Sequence, residues 1–198
     1  RAEYNVAGIE IENSYYADVY DNLASHNTAG ILVFDLPDLP QQGGHHVRVF
    51  RNKSIDNDTD NFAPEGNIVG EVPRGTGVII QANSDVEVFD NDIGGNGTVN
   101  LAIVTYGYDT EDEDYYPHPK SIQVHDNRFG KSGFDPDLET GELSSILFEL
   151  SGGNMPDIFW DGILPMSQML FGQPDNEKVI LGDNGNASFL TISPIKYQ

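Results

Sequence analysis

The chain contains no cysteine, which removes disulfides, thiolate catalysis and Cys-based zinc or iron–sulfur sites. It is also poor in positive charge: 10 Lys and Arg stand against 32 Asp and Glu in 198 residues, a formal charge of −22. Binding a phosphate backbone needs a basic face, so nucleic acid is not an expected partner. An anionic lipid surface is disfavoured for the same reason. No apolar run approaches the roughly 18–20 residues of a membrane span, so membrane insertion is not expected either. What is present is β-branched and aromatic residues in number, enough for one domain with a buried core. The acidity has two readings. One is solubility or a salty habitat. The other is bound divalent cations, calcium first, because hard oxygen ligands abound.

Internal repeats organise the chain. A short apolar strand ending in Asn appears as Asp18-Val19-Tyr20-Asp21-Asn22, Arg48-Val49-Phe50-Arg51-Asn52, Glu87-Val88-Phe89-Asp90-Asn91 and Gln123-Val124-His125-Asp126-Asn127. A weaker copy is Ile180-Leu181-Gly182-Asp183-Asn184. A second motif joins Gly to a β-branched run, in Gly8-Ile9-Glu10-Ile11, Gly30-Ile31-Leu32-Val33 and Gly77-Val78-Ile79-Ile80. Leu101-Ala102-Ile103-Val104 and Ile146-Leu147-Phe148-Glu149 read as later members without the Gly. The motifs alternate, and Pro/Gly/Asp-rich excursions at 36–44, 56–76 and 105–120 lengthen the spacing between copies. With these removed, the period returns to about 20–25 residues, a solenoid repeat.

These observations predict an all-β parallel β-solenoid whose short strands point Val, Ile and Phe inward. The terminal Asn is expected to take the left-handed corner conformation and to bond its counterpart one coil away, as a ladder. His125 occupies the aromatic slot of Tyr20, Phe50 and Phe89 and is read as packing. An antiparallel sandwich with Asp-Asn hairpin turns is the competing reading.

The strings Ala7-Gly8-Ile9-Glu10-Ile11-Glu12-Asn13, Val19-Tyr20-Asp21-Asn22 and Val86-Glu87-Val88-Phe89-Asp90-Asn91 resemble right-handed parallel β-helix repeats. Pectate lyases, mannuronan C5-epimerases and periplasmic NosD-type proteins share these repeats, and the chain is most similar to exported bacterial proteins of this kind. The resemblance implies a right-handed parallel β-helix with long loop excursions, secreted or periplasmic, directed at an extracellular polysaccharide. The coils are expected over 1–151, with an excursion and last coil or cap over 152–198. Within that last part, 158–170 reads as partly helical, broken by Pro165, and 179–192 as a closing strand pair. Residue 1 is Arg and the first repeat begins almost at once, so N-terminal coils are expected to be missing from a longer chain.

The fold hosts inert and catalytic members alike, so activity rests on the residues. Mannuronan epimerases carry a Tyr-Gly-Phe-Asp-Pro-His run, and here Tyr106-Gly107-Tyr108-Asp109 lacks the Pro-His half, with Pro117-His118 the nearest substitute. The match implies Tyr106, Asp109 and His118 as a general acid/base set, with Lys120 or Arg128 on a sugar carboxylate. The loop 105–120 also sets aromatics beside carboxylates, which suits sugar rings, although such acidic blocks are commonly solvated. Asp56, Asp58 and Asp60 stand at the spacing that opens a calcium loop, but Asn61 and Asn67 replace the Gly and Glu of an EF-hand. A looser calcium site there, or at Asp112 and Asp114, is the cofactor expectation. Two function classes follow: a non-catalytic polysaccharide-binding or structural module, and a calcium-dependent polysaccharide lyase or uronan epimerase.

Overall fold

Alternation over three to six residues is what a strand needs to bury one face, and the Asn-terminated strand motif repeats it. A computed structural model describes residues 1–64, 66–139 and 142–192. The first circuit of the chain comprises β1 (Ala2–Glu3), β2 (Ala7–Glu12) and β3 (Asp18–Tyr20). The second comprises β4 (Leu23–Ser25), β5 (Ala29–Phe34) and β6 (His45–Phe50), and the third β7 (Lys53–Ile55), β8 (Thr76–Gln81) and β9 (Ser84–Phe89). The fourth holds β10 (Asp92–Gly94), β11 (Val99–Val104) and β12 (Lys120–His125), and the fifth β13 (Arg128–Phe129), β14 (Ile158–Trp160) and β15 (Val179–Leu181). A final strand, β16 (Phe189–Thr191), follows.

Each circuit gives one strand to each of three all-parallel sheets, ordered β1-β4-β7-β10-β13, β2-β5-β8-β11-β14-β16 and β3-β6-β9-β12-β15. The pairing is in register, so like stacks on like. Ile11, Val33, Ile80, Ile103 and Trp160 form one column of the second sheet, and Val19, Val49, Val88, Val124 and Leu181 one column of the third. These columns meet in a single interior core. The strands β5 and β11 of the second sheet are buried on both faces. Their outward residues Leu32, Phe34, Ala102 and Val104, with Ile79 and Phe159, join a second apolar cluster under the excursions. A parallel sheet covered on both sides needs such continuous apolar runs.

The corner Asn residues do form a ladder. The backbone N–H and Nδ2 of Asn22 donate to Asn52 Oδ1 at 3.0 and 3.0 Å. Asn52 donates likewise to Asn91, Asn91 to Asn127 and Asn127 to Asn184. The left-handed residue is not the Asn but the one before it: Asp21, Arg51, Asp90 and Asp126 have φ of 55, 53, 54 and 55°. The preceding residue turns the chain, which leaves the Asn amide facing inward to bond.

A second ladder runs five residues later through Asn5, Asn27, Asn57 and Asn96. It explains the Gly motif. A Cβ on Gly30 would lie 2.7 Å from Asn57 Nδ2 and 2.0 Å from Ser54 Oγ, and one on Gly77 would lie 2.6 Å from Asn96 Nδ2. The column is glycine because the ladder occupies the space a side chain would take. In β11 Asn100 takes the place of glycine and terminates the ladder, its Oδ1 accepting from Asn96 Nδ2 at 2.9 Å.

One expectation about the later chain is corrected. Ile146-Leu147-Phe148-Glu149 is not a strand but part of helix α1 (Glu142–Leu150), which seats Leu143 and Leu147 on the outer face of the second sheet. Those apolar residues recur at i and i+4, the helical period, and a four-residue run cannot show it alone. The segment 158–170 is partly helical, as expected: its helix, α2 (Met166–Phe171), starts after Pro165, while Ile158–Trp160 is strand and pairs with β11. Pro fits the entry to a helix and breaks its interior. No helix among the described residues is long and apolar enough to cross a membrane.

Candidate functional site

The outer face of the third sheet is built from the residues between its inward valines. Asp18, Arg48, Glu87, Gln123 and Ile180 lie in register across β3, β6, β9, β12 and β15 and project away from the core. A second row precedes it, in which Tyr16, His46, Asp85 and Ser121 all have positive φ, at 56, 57, 52 and 54°. The recurrent left-handed turn kinks each circuit at the same place and makes one wall of a groove. The opposite end is closed by Asp175, Asn176 and Lys178, with Ser121 Oγ donating to the Asn176 carbonyl. The groove encloses about 720 Å³. Five strands at ordinary spacing give it a length of roughly 19 Å.

Its polar groups are held in place. Arg48 grips Asp18 through Nε at 2.8 Å and Nη2 at 2.7 Å, which keeps the Asp18 carboxyl below the usual range. Lys178 reaches Asp175 at 2.5 Å, and His46 Nδ1 lies 3.8 Å from Asp85. Tyr16 stands at one end with its ring 4.8 Å from that of His46 and 73% exposed. Beside the groove on the same outer face, the rings of Tyr20, Phe50, Phe89 and His125 stack at 5.2, 5.0 and 5.5 Å.

None of the catalytic candidates read from the sequence lines this groove. Tyr106 and His118 stand at the base of the loop 105–119, where the Tyr106 N–H donates to the Pro117 carbonyl. The Tyr106 ring packs edge-on against Tyr108 and Tyr115, at 5.4 and 5.3 Å. His118 is half-buried, its Nδ1 donating to the Ile163 carbonyl at 3.2 Å, and burial pushes its pKa down. Lys120 begins β12 with its ammonium 4.7 Å above the Tyr116 ring and 3.9 Å from Glu177. Asp109 lies exposed on the loop. Arg128 is elsewhere, on the first sheet, with Nε 2.6 Å from Asp92 in a smaller corner groove shared with Arg51 and Lys53.

Of the calcium candidates, the carboxylates of Asp58, Asp60 and Asp112 are engaged by protein groups. Asp58 is 3.9 Å from His26 Nδ1 and Asp60 is 3.6 Å from Arg74. The Asp56 N–H donates to the Gly94 carbonyl, and its φ of 54° makes it a corner residue. Asp112 accepts from the Asp38 N–H, the Gln42 amide and the Asp114 N–H, which hold its carboxyl low. Among the described residues, no three His, Asp or Glu side chains are gathered in a metal-holding group. The loop 105–119 is docked, because the buried Tyr115 hydroxyl donates to the Asp35 carbonyl at 2.6 Å.

Sequence reasoning missed the groove and the second ladder. The ladder had a legible signal in Asn27, Asn57 and Asn96, each five positions after a corner Asn. The groove had only the outward positions of the strand motif, which differ from copy to copy. No family model matches the chain, and neither a curated protein nor a solved structure matches it.

Proposed function

We propose that the chain is a right-handed parallel β-helix and an exported, non-catalytic module that binds an extracellular polysaccharide along the groove of its third sheet. The observation that supports this reading is the groove itself. It is long, and polar side chains recur along it at the strand spacing. A linear polymer with repeating hydroxyl and carboxylate groups meets such a row with several equivalent contacts. Arg48, Glu87 and Gln123 offer planar hydrogen-bonding edges, and the exposed Tyr16 ring offers a flat face. Arg48 and Lys178 are each held by a carboxylate, an arrangement suited to recognition in a fixed geometry.

Calorimetry against polygalacturonate, alginate and neutral glucans tests the reading. Binding of at least one polymer, weakened fivefold or more in Arg48→Ala/Gln123→Ala, is the expected result. Absence of binding across the panel, with and without calcium, removes it.

A second reading, a calcium-dependent uronan lyase or epimerase, draws support from His118. Its Nδ1–H is committed to the Ile163 carbonyl, so Nε2 is the free, unprotonated nitrogen of a base. Ultraviolet absorbance of unsaturated ends, or proton exchange at C5, with calcium present, tests that alternative.

A further inference from the structure

His125 is the last ring of the aromatic stack, parallel to Phe89 within 9°. Unlike the other rings it carries two nitrogens, and each faces a carboxylate. Nδ1 lies 2.8 Å from Asp126 Oδ2 and Nε2 lies 3.1 Å from Glu87 Oε1. Ionised carboxylates only accept hydrogen bonds, so both contacts form together only when both ring nitrogens carry protons. The other charged groups nearby are Arg48, adjacent to Glu87 on β6, and Asp183 at the corner after β15; Gly182 packs against the ring's Cβ and brings no charge. Glu87 lines the groove, whereas Asp126 stands outside it.

We propose that His125 is a positioning residue that fixes the Glu87 carboxylate at the floor of the groove while the ring is an imidazolium, and frees it when the ring loses a proton. The shorter Nδ1 contact with Asp126 keeps its proton, so loss of the Nε2 proton turns a lone pair toward Glu87 and leaves that carboxylate in the groove without the ring's charge, with Arg48 as its remaining cationic neighbour. Asp126 and Glu87 together raise the His125 pKa above its ordinary 6.5, so the change falls on the alkaline side of that value. The consequence for a ligand rests on the polysaccharide reading: a uronan should bind more weakly as pH rises through this transition, and a neutral glucan should not change. The coupling of His125 to Glu87 does not depend on any ligand.

Two measurements on the intact chain test this. The first follows the His125 ring and the Glu87 side-chain carboxyl by NMR through a pH titration. The two are expected to share a midpoint, Glu87→Gln to lower that of His125, and His125→Phe to abolish the step at Glu87. Phe keeps the stacked rung, as Phe50 and Phe89 do, so a folding defect is not confused with loss of charge. An unmoved His125 midpoint in Glu87→Gln, or a Glu87 carboxyl that ignores the ring, overturns the proposal. The second measures polygalacturonate binding on either side of the midpoint. A two- to fivefold fall is expected in the parent chain and a flat, weaker profile in His125→Phe. A parent profile as flat as that of the variant overturns the binding half. Failure to bind at any pH rejects the polysaccharide reading and that half with it, while the titration still upholds or overturns the coupling.

Discussion

Asn91 Oδ1 accepts two hydrogen bonds from Asn52, one from its backbone N–H at 2.9 Å and one from Nδ2 at 3.1 Å. The Asn91 Nδ2 in turn donates to the carbonyls of Val49 and Phe89, both at 2.9 Å. The side chain is buried, so water cannot replace any of these bonds. Truncation leaves several buried groups unpaired at once, each at about 1–3 kcal/mol. Asn91→Ala is therefore expected to lower stability by about 2–5 kcal/mol. Asn22→Ala, at the exposed end of the same ladder, is expected to cost about 1 kcal/mol or less. Urea midpoints at constant slope check both.

The glycine column yields a steric prediction. A Cβ on Gly30 would stand 2.0 Å from Ser54 Oγ and 2.5 Å from the Gly77 carbonyl, whereas one on Gly107 would meet nothing within 4 Å. Gly30→Ala is expected to destabilise by about 2 kcal/mol or more through overpacking. Gly107→Ala, in an open loop, is expected to stay within about 0.5 kcal/mol of the parent. Thermal melts of the pair make the comparison.

Docking of the loop 105–119 depends on the Tyr115 hydroxyl, which is buried on the Asp35 carbonyl. Tyr115→Phe keeps the ring and leaves that carbonyl short of a partner. About 1 kcal/mol is expected to be lost, with faster protease cleavage within 105–119 than in the parent.

His118 gives a pH dependence of defined sign. Its folded pKa is lowered from 6.5 by burial. Its contribution to stability is complete above about 6.5 and is lost as pH falls through the folded value, because the unfolded chain takes up the proton more readily. His118→Asn, which retains a side-chain donor for the Ile163 carbonyl, is expected to flatten this acid-side loss in denaturation curves recorded between pH 7 and about pH 5.

The repeating strands, their inward valines and the corner Asn ladder were legible because each is a local pattern repeated in register. The stacked His125 was legible for the same reason, since it fills the position of Phe50 and Phe89. Leu147 was misread because a four-residue apolar run carries no period. Its helix is selected by the apolar outer face of β5, β8 and β11, which Leu143 and Leu147 cover. The left-handed corner was assigned one residue late, to Asn22 rather than Asp21, because both residue types tolerate that conformation. Only the inward demand of the ladder separates them.

The groove marks the boundary between the two kinds of information. Composition without cysteine excluded disulfide and thiolate chemistry, and the repeats determined strand length, inward face and stacking order. Each of these depends on neighbours a few positions away or on a copy of the same motif. The groove joins Tyr16, Arg48, Glu87, Gln123 and Lys178, residues from five circuits separated by excursions of unequal length. The outward positions that line the groove differ from copy to copy, unlike the stacked rings two residues further on, so they write no repeating signal into the chain. Only the parallel register across the third sheet sets these side chains beside one another, so that part of the protein was decided in three dimensions.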